Sequence, residues 1–257
     1  MLTIIPINAL KDNYIWVGVN EALGEAFVVD PGDAAPVLDF LASHALRLIG
    51  ILITHKHSDH TGGIGELLAV YPNTPVYAHA IENIPFTTHD VQHDEIITID
   101  RWNLSFTVMH IPGHTLGHVA YYAHPVLFSG DTLFGAGCGR IFEGTADQMF
   151  DSLNKLAGLP DDTLVYCGHE YTLANLHFAQ QVEPANEGIL HRIKLSENLR
   201  LNNQPTLPST MALEIQTNPF LRCQQTGVAL SVEKHIGQPL TNMVDVFFEL
   251  RQWKNNF

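Results

Sequence analysis

Over its first two-thirds the chain alternates short apolar runs with turn-forming residues. Asn13 to Val19 and Ala26 to Val29 read as strands paired across a turn near Asn20 to Gly24. The second ends in Asp30-Pro31-Gly32-Asp33, a turn that also caps a helix over Ala34 to His44. Leu48-Ile49-Gly50-Ile51-Leu52-Ile53 is continuous and rich in branched side chains, the mark of a strand buried on both faces. A helix over Ile64 to Val70 is closed by Pro72, and Val76-Tyr77-Ala78 reads as a short strand. Residues 83 to 95 are polar and predict irregular structure. Strands follow at Ile96 to Ile99, Leu104 to His110, Val119 to Tyr122 and Val126 to Phe128, then a helix at Thr145 to Ala157 and a strand at Thr163 to Tyr166.

After Tyr171 the period becomes helical as far as about Asn202, with a break near Pro184 and a partial apolar stripe at Leu190, Ile193 and Leu199. Pro205, Pro208 and Pro219 punctuate the next segment, and Met243 to Trp253 reads as a final helix. No repeat of fixed period runs through the chain. The pattern predicts an α+β protein: a mixed strand–helix domain over residues 1–171 and a mainly helical domain over 172–257.

The loop after the buried strand, Thr54-His55-Lys56-His57-Ser58-Asp59-His60, is unlike its surroundings. It places three imidazoles and a carboxylate on a strand-to-helix connection, where a rigid scaffold presents chemistry. These donors suit zinc, and also iron or manganese. So short a loop wraps four donors around one ion only with strain, and two adjacent ions sharing it is the easier geometry.

The same placement recurs. His110, Asp131 and His169 each follow an apolar strand and each precede Gly or another turn-former within a few residues. A sheet whose strand ends converge brings all four loops to one edge. His55, His57, Asp59, His60, His110, Asp131 and His169 are more donors than one tetrahedral site takes. They fit two ions sharing a carboxylate and a solvent oxygen, about 3.5–4 Å apart in hydrolytic sites of this kind. A bound ion lowers the pKa of its water to about 7, which supplies a nucleophile without a serine, a cysteine or a separate base. No G-x-S-x-G elbow competes with this reading. His114 and His118 read as orienting or structural neighbours of His110. Cys138 and Cys167, in apolar or glycine-rich settings, read as bystander thiols.

Charge narrows the partners. Asp and Glu number 27 against 13 Lys and Arg, a formal charge of −14 that argues against wrapping nucleic acid. No apolar stretch approaches the length of a membrane span. Met1-Leu2-Thr3-Ile4-Ile5-Pro6 lacks the basic region and cleavage site of a secretory signal. Three cysteines with no CxxC fit a reducing compartment. The expectation is a cytoplasmic monomer that binds neither nucleic acid nor membrane.

His55-Lys56-His57-Ser58-Asp59-His60 resembles the H-x-H-x-D-H signature of the metallo-β-lactamase superfamily. Within that superfamily the chain resembles the glyoxalase II family, the hydroxyacylglutathione hydrolases, nearly from end to end. Asp12-Asn13-Tyr14, Val29-Asp30-Pro31-Gly32-Asp33, Pro112-Gly113-His114-Thr115-Leu116-Gly117-His118 and Gly130-Asp131-Thr132-Leu133-Phe134 carry the likeness. So do Gly137-Cys138-Gly139-Arg140, Glu143-Gly144-Thr145-Ala146 and Gly168-His169-Glu170-Tyr171-Thr172. The resemblance implies an αββα sandwich with a C-terminal helical domain. It implies two divalent metal ions, zinc first, with iron or manganese compatible. His55, His57 and His110 would hold one ion, Asp59, His60 and His169 the other, and Asp131 would bridge them. The activity implied is hydrolysis of S-D-lactoylglutathione to D-lactate and glutathione, the second step of methylglyoxal detoxification, through a hydroxide shared by the metals. Arg140, Tyr171, Arg251 and Lys254 would contact the glutathione moiety. Phe142 stands where some members carry Tyr, and Arg140 where others carry Lys, changes that bear on substrate affinity rather than on the chemistry.

Four other readings stay open at this point. A persulfide dioxygenase of the same superfamily would hold a single iron. A β-lactamase would carry a secretion signal, and a nuclease a basic surface. A metal-stabilised binding module would have a coordinatively closed site and no turnover.

Overall fold

A computed structural model describes residues 2–257. They form two compact units: residues up to His110 with Thr115–Gly130, and Ile111–His114 with Asp131–Phe257.

The first unit holds β1 (Thr3–Ala9), β2 (Asn13–Asn20), β3 (Glu25–Val29), β4 (Arg47–Leu52), β5 (Val76–His79) and β6 (His89–Val91), hydrogen-bonded in that order. β1, β2 and β3 pair antiparallel, whereas β3 to β6 run parallel. Parallel neighbours need crossovers, which α1 (Ala35–Ser43) supplies between β3 and β4, and α2 (Ser58–Thr61) with α3 (Ile64–Val70) between β4 and β5. Val37 and Leu41 of α1 and Ile64 and Leu67 of α3 join Val17, Val28, Ile51 and Ile53 in one core cluster. Pro6 is tolerated because β1 is an edge strand.

The unit's second sheet is the antiparallel meander β7 (Ile96–Ile99), β8 (Leu104–His110), β9 (Val119–Ala123) and β10 (Val126–Gly130). Phe27 of the first sheet meets Phe106 and Phe128 of the second edge-on, with ring centroids 5.5 and 6.1 Å apart, so the two sheets face each other across an aromatic core. At one end of that interface the buried Glu25 accepts from Arg47 at 2.5 Å, from Trp102 Nε1 at 2.9 Å and from Arg101. One expectation needs correction here. Residues 83–95 are not wholly irregular, since His89–Val91 pairs with β5. Two of its three residues are exposed, so β6 carries no apolar signal.

The second unit contains the hairpin β11 (Leu133–Phe134) and β12 (Gly137–Cys138), the helix α4 (Ala146–Ala157), and β13 (Leu164–Cys167) paired antiparallel with β14 (Ser209–Thr210). Thr145 and Gln148 close a reciprocal capping box at the start of α4. Helices α5 (Thr172–Val182), α6 (Glu187–Leu201), α7 (Met211–Thr217), α8 (Thr226–Ile236) and α9 (Met243–Asn255) make up the rest. Leu176 and Ala179 of α5 bury against Ile189 and Ile193 of α6 and against Ala136. No helix among the described residues is long and apolar enough to cross a membrane.

Candidate metal centre

In the first unit the His-rich segment leaves the end of β4 and turns into α2, and the strand before it fixes its start. Asp30, at the end of β3, reaches across: its Oδ1 accepts from the Thr54 backbone N–H at 2.8 Å and its Oδ2 from Thr54 Oγ1 at 2.7 Å. His60 Nδ1 lies 3.0 Å from the same Oδ2. A carboxylate only accepts, so this nitrogen carries the proton and Nε2 keeps the lone pair. Because Thr54 gives its hydroxyl proton to Asp30, its oxygen is left to accept from His55 Nδ1 at 3.0 Å. His55 therefore also presents Nε2 as a lone pair, directed at His57 Nδ1, 3.0 Å away. These two nitrogens stand at hydrogen-bond distance, close enough to share a proton or, with both as lone pairs, to face one cation.

Asp59 completes the group. Its Oδ2 accepts from Asn13 Nδ2 at 3.0 Å and lies 3.4 Å from His60 Nε2. Gly32 is required beside it, because a Cβ there would fall 1.8 Å from the Asp59 carbonyl oxygen. Within this unit Asp30, His55 and His60 offer ligand-type atoms within 4.8 Å of one another.

In the second unit the donors gather on one carboxylate oxygen. His169 Nε2 is 3.2 Å from Asp131 Oδ2, and His114 Nε2 is 3.5 Å from the same atom. His114 donates its Nδ1–H to the Arg140 carbonyl at 2.8 Å, which leaves Nε2 as its lone pair. A carboxylate oxygen flanked by two imidazoles suits a ligand shared between two ions.

His110 is not part of either gathering, and the expectation that placed it there is corrected. It is the last residue of β8, still paired opposite Val119. Its Nε2 binds the Leu116 carbonyl at 2.8 Å, and its ring stacks on His79 at 4.9 Å. The other donors stand beyond their strands, in the connections that follow them, Asp59 and His60 on the short helix α2. The loop after β8 delivers His114 instead, past the turn at Pro112-Gly113. Asp30, which orients two of the donors, was also missed. Its signal was the same strand-end placement, masked by its reading as a helix-capping turn.

Of the residues expected to meet substrate, all lie in the second unit. Tyr171 stacks flat on His169, with centroids 4.7 Å apart and the planes 2° from parallel. Arg140 is exposed. Lys254 donates to the Ala174 carbonyl at 3.2 Å and sits over the rings of Phe178 and Phe257. Partial burial, with the charges of Arg251 and Arg140 adding to it, pushes Lys254 down to about 8. Arg251 is buried, and its Nη1 donates to the Cys138 carbonyl at 2.8 Å. Phe142 is exposed and meets His114 edge-on at 5.2 Å. The thiols of Cys138 and Cys167 are buried, and burial pushes both up, away from the reactive thiolate.

Comparison with known proteins places this geometry. Residues 13–169 match the model of the metallo-beta-lactamase superfamily, and residues 170–257 match the model of the hydroxyacylglutathione hydrolase C-terminus. A hydroxyacylglutathione hydrolase of Nitrosomonas eutropha is 49% identical over 257 residues, covering 100% of both chains. One of Aeromonas hydrophila is 50% identical over 257 residues, again covering 100% of both. Among solved structures, the B3 metallo-beta-lactamase BLEG-1 aligns with a TM-score of 0.63 at 28% identity, covering 86% of this chain and 99% of the other. TTHA1623, solved in a di-iron-bound form, aligns with a TM-score of 0.62 at 25% identity, covering 84% of this chain and 100% of the other. The fold is thus the metallo-β-lactamase sandwich with a C-terminal helical region, and the superfamily implies a dinuclear site for divalent metal. The chain belongs to the hydroxyacylglutathione hydrolase family of that superfamily.

Proposed function

We propose that this enzyme hydrolyses the thioester of S-D-lactoylglutathione and related S-2-hydroxyacylglutathiones, releasing D-lactate and glutathione. His55, His57 and His114 would hold one divalent ion and Asp59, His60 and His169 the second, with Asp131 available to both. The observation that carries this reading is Asp131 Oδ2 with an imidazole nitrogen on either side, 3.2 and 3.5 Å away, in a chain that matches its relatives over its full length. Zinc suits these donors best, and iron or manganese also match them. When bound, two such ions supply hydroxide at neutral pH and polarise an acyl carbonyl.

The chain's own residues prepare that site. Asp30 and Thr54 fix the tautomers of His55 and His60, and such outer partners sharpen both orientation and basicity. Asn13 steadies the carboxylate of Asp59. No thiol acts as nucleophile. Glutathione carries two carboxylates, and in so acidic a chain the cations Arg140 and Lys254, with Tyr171 beside His169, are the groups that bind it. Arg251 contributes from a buried position by holding the Cys138 carbonyl next to Arg140. Residues 172–257 serve as the substrate-binding domain of a cytoplasmic monomer that acts on this small molecule alone.

The test pairs metal analysis with a thioester assay. Purified protein should contain divalent metal and hydrolyse S-D-lactoylglutathione, and chelation or Asp131→Ala should abolish turnover. Hydrolysis that survives either treatment overturns the reading.

A further inference from the structure

Glu82 lies outside every group described above, yet it is a buried carboxylate, 3% exposed, held in the first unit. It ends the turn of 3-10 helix Ala80–Glu82 that follows β5, and Asn83 closes that turn in the left-handed region at φ 49°. Its two oxygens serve two different loops. Oε2 accepts from the Lys56 backbone N–H at 2.7 Å, between His55 and His57. Oε1 accepts from the Gly117 backbone N–H at 2.7 Å, in the loop that ends at His118. His118 in turn stacks on His55, with centroids 4.8 Å apart and planes 17° from parallel.

The fit at Gly117 is tight. A Cβ built there would stand 2.7 Å from Glu82 Oε1 and 2.9 Å from its Cγ. The carboxylate thus occupies the space a side chain at 117 would need, and the two positions are matched. Short bonds from backbone N–H to a buried carboxylate are charge-assisted and directional. A single rigid side chain bonded to both loops sets the distance between them.

We propose that Glu82 is a positioning residue that clamps the His55-Lys56-His57 segment to the Gly117-His118 segment, and so sets the metal affinity of the pair His55 and His57. It touches neither metal nor substrate. The inference rests on the reading of His55 and His57 as ligands.

Glu82→Gln tests it. The amide keeps the volume and one acceptor, but turns an NH2 group toward one of the two backbone N–H donors. Metal-stripped full-length wild type and variant are titrated with cobalt, following the visible absorption bands and competition by a chelator. Loss of an outer-shell partner typically costs about 10–100-fold in metal affinity, and a loss in that range is expected, with shifted bands. Gly117→Ala, which displaces the carboxylate but leaves its charge, should change affinity and bands in the same direction, and it decides the matter if Glu82→Gln does not fold. A variant with a lower melting temperature but unchanged cobalt affinity and spectrum makes Glu82 a brace of the fold only, and overturns the clamp. Wild type that binds no cobalt overturns the ligand reading, and the clamp with it.

Discussion

His60 directs its Nδ1–H at Oδ2 of Asp30, 3.0 Å away, and both side chains are shut off from solvent. The same oxygen takes the Thr54 hydroxyl, whose own oxygen receives His55 Nδ1–H. One carboxylate therefore sets the tautomer of two imidazoles proposed as ligands. Asp30 holds this place at φ 52°, a left-handed conformation that costs a non-glycine residue on the order of 1–3 kcal/mol. Asp30→Asn should reverse the logic, since an amide offers N–H where an acceptor is needed. Metal affinity should fall about 10–100-fold, read as metal retained after dialysis against graded chelator. Unchanged retention would show that the imidazoles orient themselves without Asp30.

His110 and His114 separate cleanly. His110→Ala removes the bond to the Leu116 carbonyl and the stack on His79, a cost of about 1 kcal/mol for the bond. Metal content and turnover should stay at wild-type values. His114→Ala removes one of the two imidazoles flanking Asp131 Oδ2. It should cost affinity for one ion by more than the roughly 100-fold of an outer partner. Metal counted per chain decides between them, and metal loss in His110→Ala with retention in His114→Ala would restore the first assignment.

Much of this was legible because the donors obey a positional rule. The apolar runs before His55, Asp131 and His169 mark buried strands, and within each unit the donors gather in the connections beyond such strands. The rule does not say which residue of a loop turns inward. After β8 two histidines compete, and only the pairing of His110 with Val119 shows that the strand has not yet ended. Helix α7 was illegible for a different reason. Its buried face is Met211, Glu214 and Thr217, polar at two of three positions, so no apolar stripe exists to be read. The stripe expected in α6 holds only in part: Ile193 is buried and Leu190 and Leu199 are half-buried, while the rest of the buried face is Ile189, Arg192 and Ser196, because Arg192 turns inward to Glu214.

Lys254 carries a pH signature. Partial burial, followed by the repulsion of Arg251 and Arg140, pushes it down to about 8. It is a cation below that value and neutral above it. The attraction proposed for a substrate carboxylate is therefore present in full on the acid side and lost as pH rises through about 8. KM for the glutathione thioester should climb across that range while kcat holds. Lys254→Arg keeps its charge throughout, and should flatten the profile. A wild-type KM constant from about pH 7 to about pH 9.5 would remove Lys254 from the binding surface.

The ion pair of Arg192 and Glu214 makes the last prediction, on stability. Both side chains are buried, and Nη2 meets Oε1 at 2.6 Å. Glu214 Oε2 also accepts from the Ala136 N–H at 2.8 Å and from Asn218 Nδ2 at 3.2 Å, while Arg192 Nη1 donates to Thr217 Oγ1 at 2.6 Å. The pair thus ties α6 and α7 to the β11–β12 turn. Desolvating two charges offsets much of their attraction, so the intact pair adds little net stability. Removing one partner is different, because it strands the other charge. Arg192→Met should lower stability by about 3–5 kcal/mol, seen as a drop in the urea midpoint. Replacing both, Arg192→Met with Glu214→Leu, should recover part of that loss by removing the stranded carboxylate, though the Ala136 N–H then loses its acceptor and Asn218 Nδ2 keeps only the Phe134 and Gly137 carbonyls. A double variant no more stable than the single one would mean that Glu214 matters for those two bonds rather than for its charge.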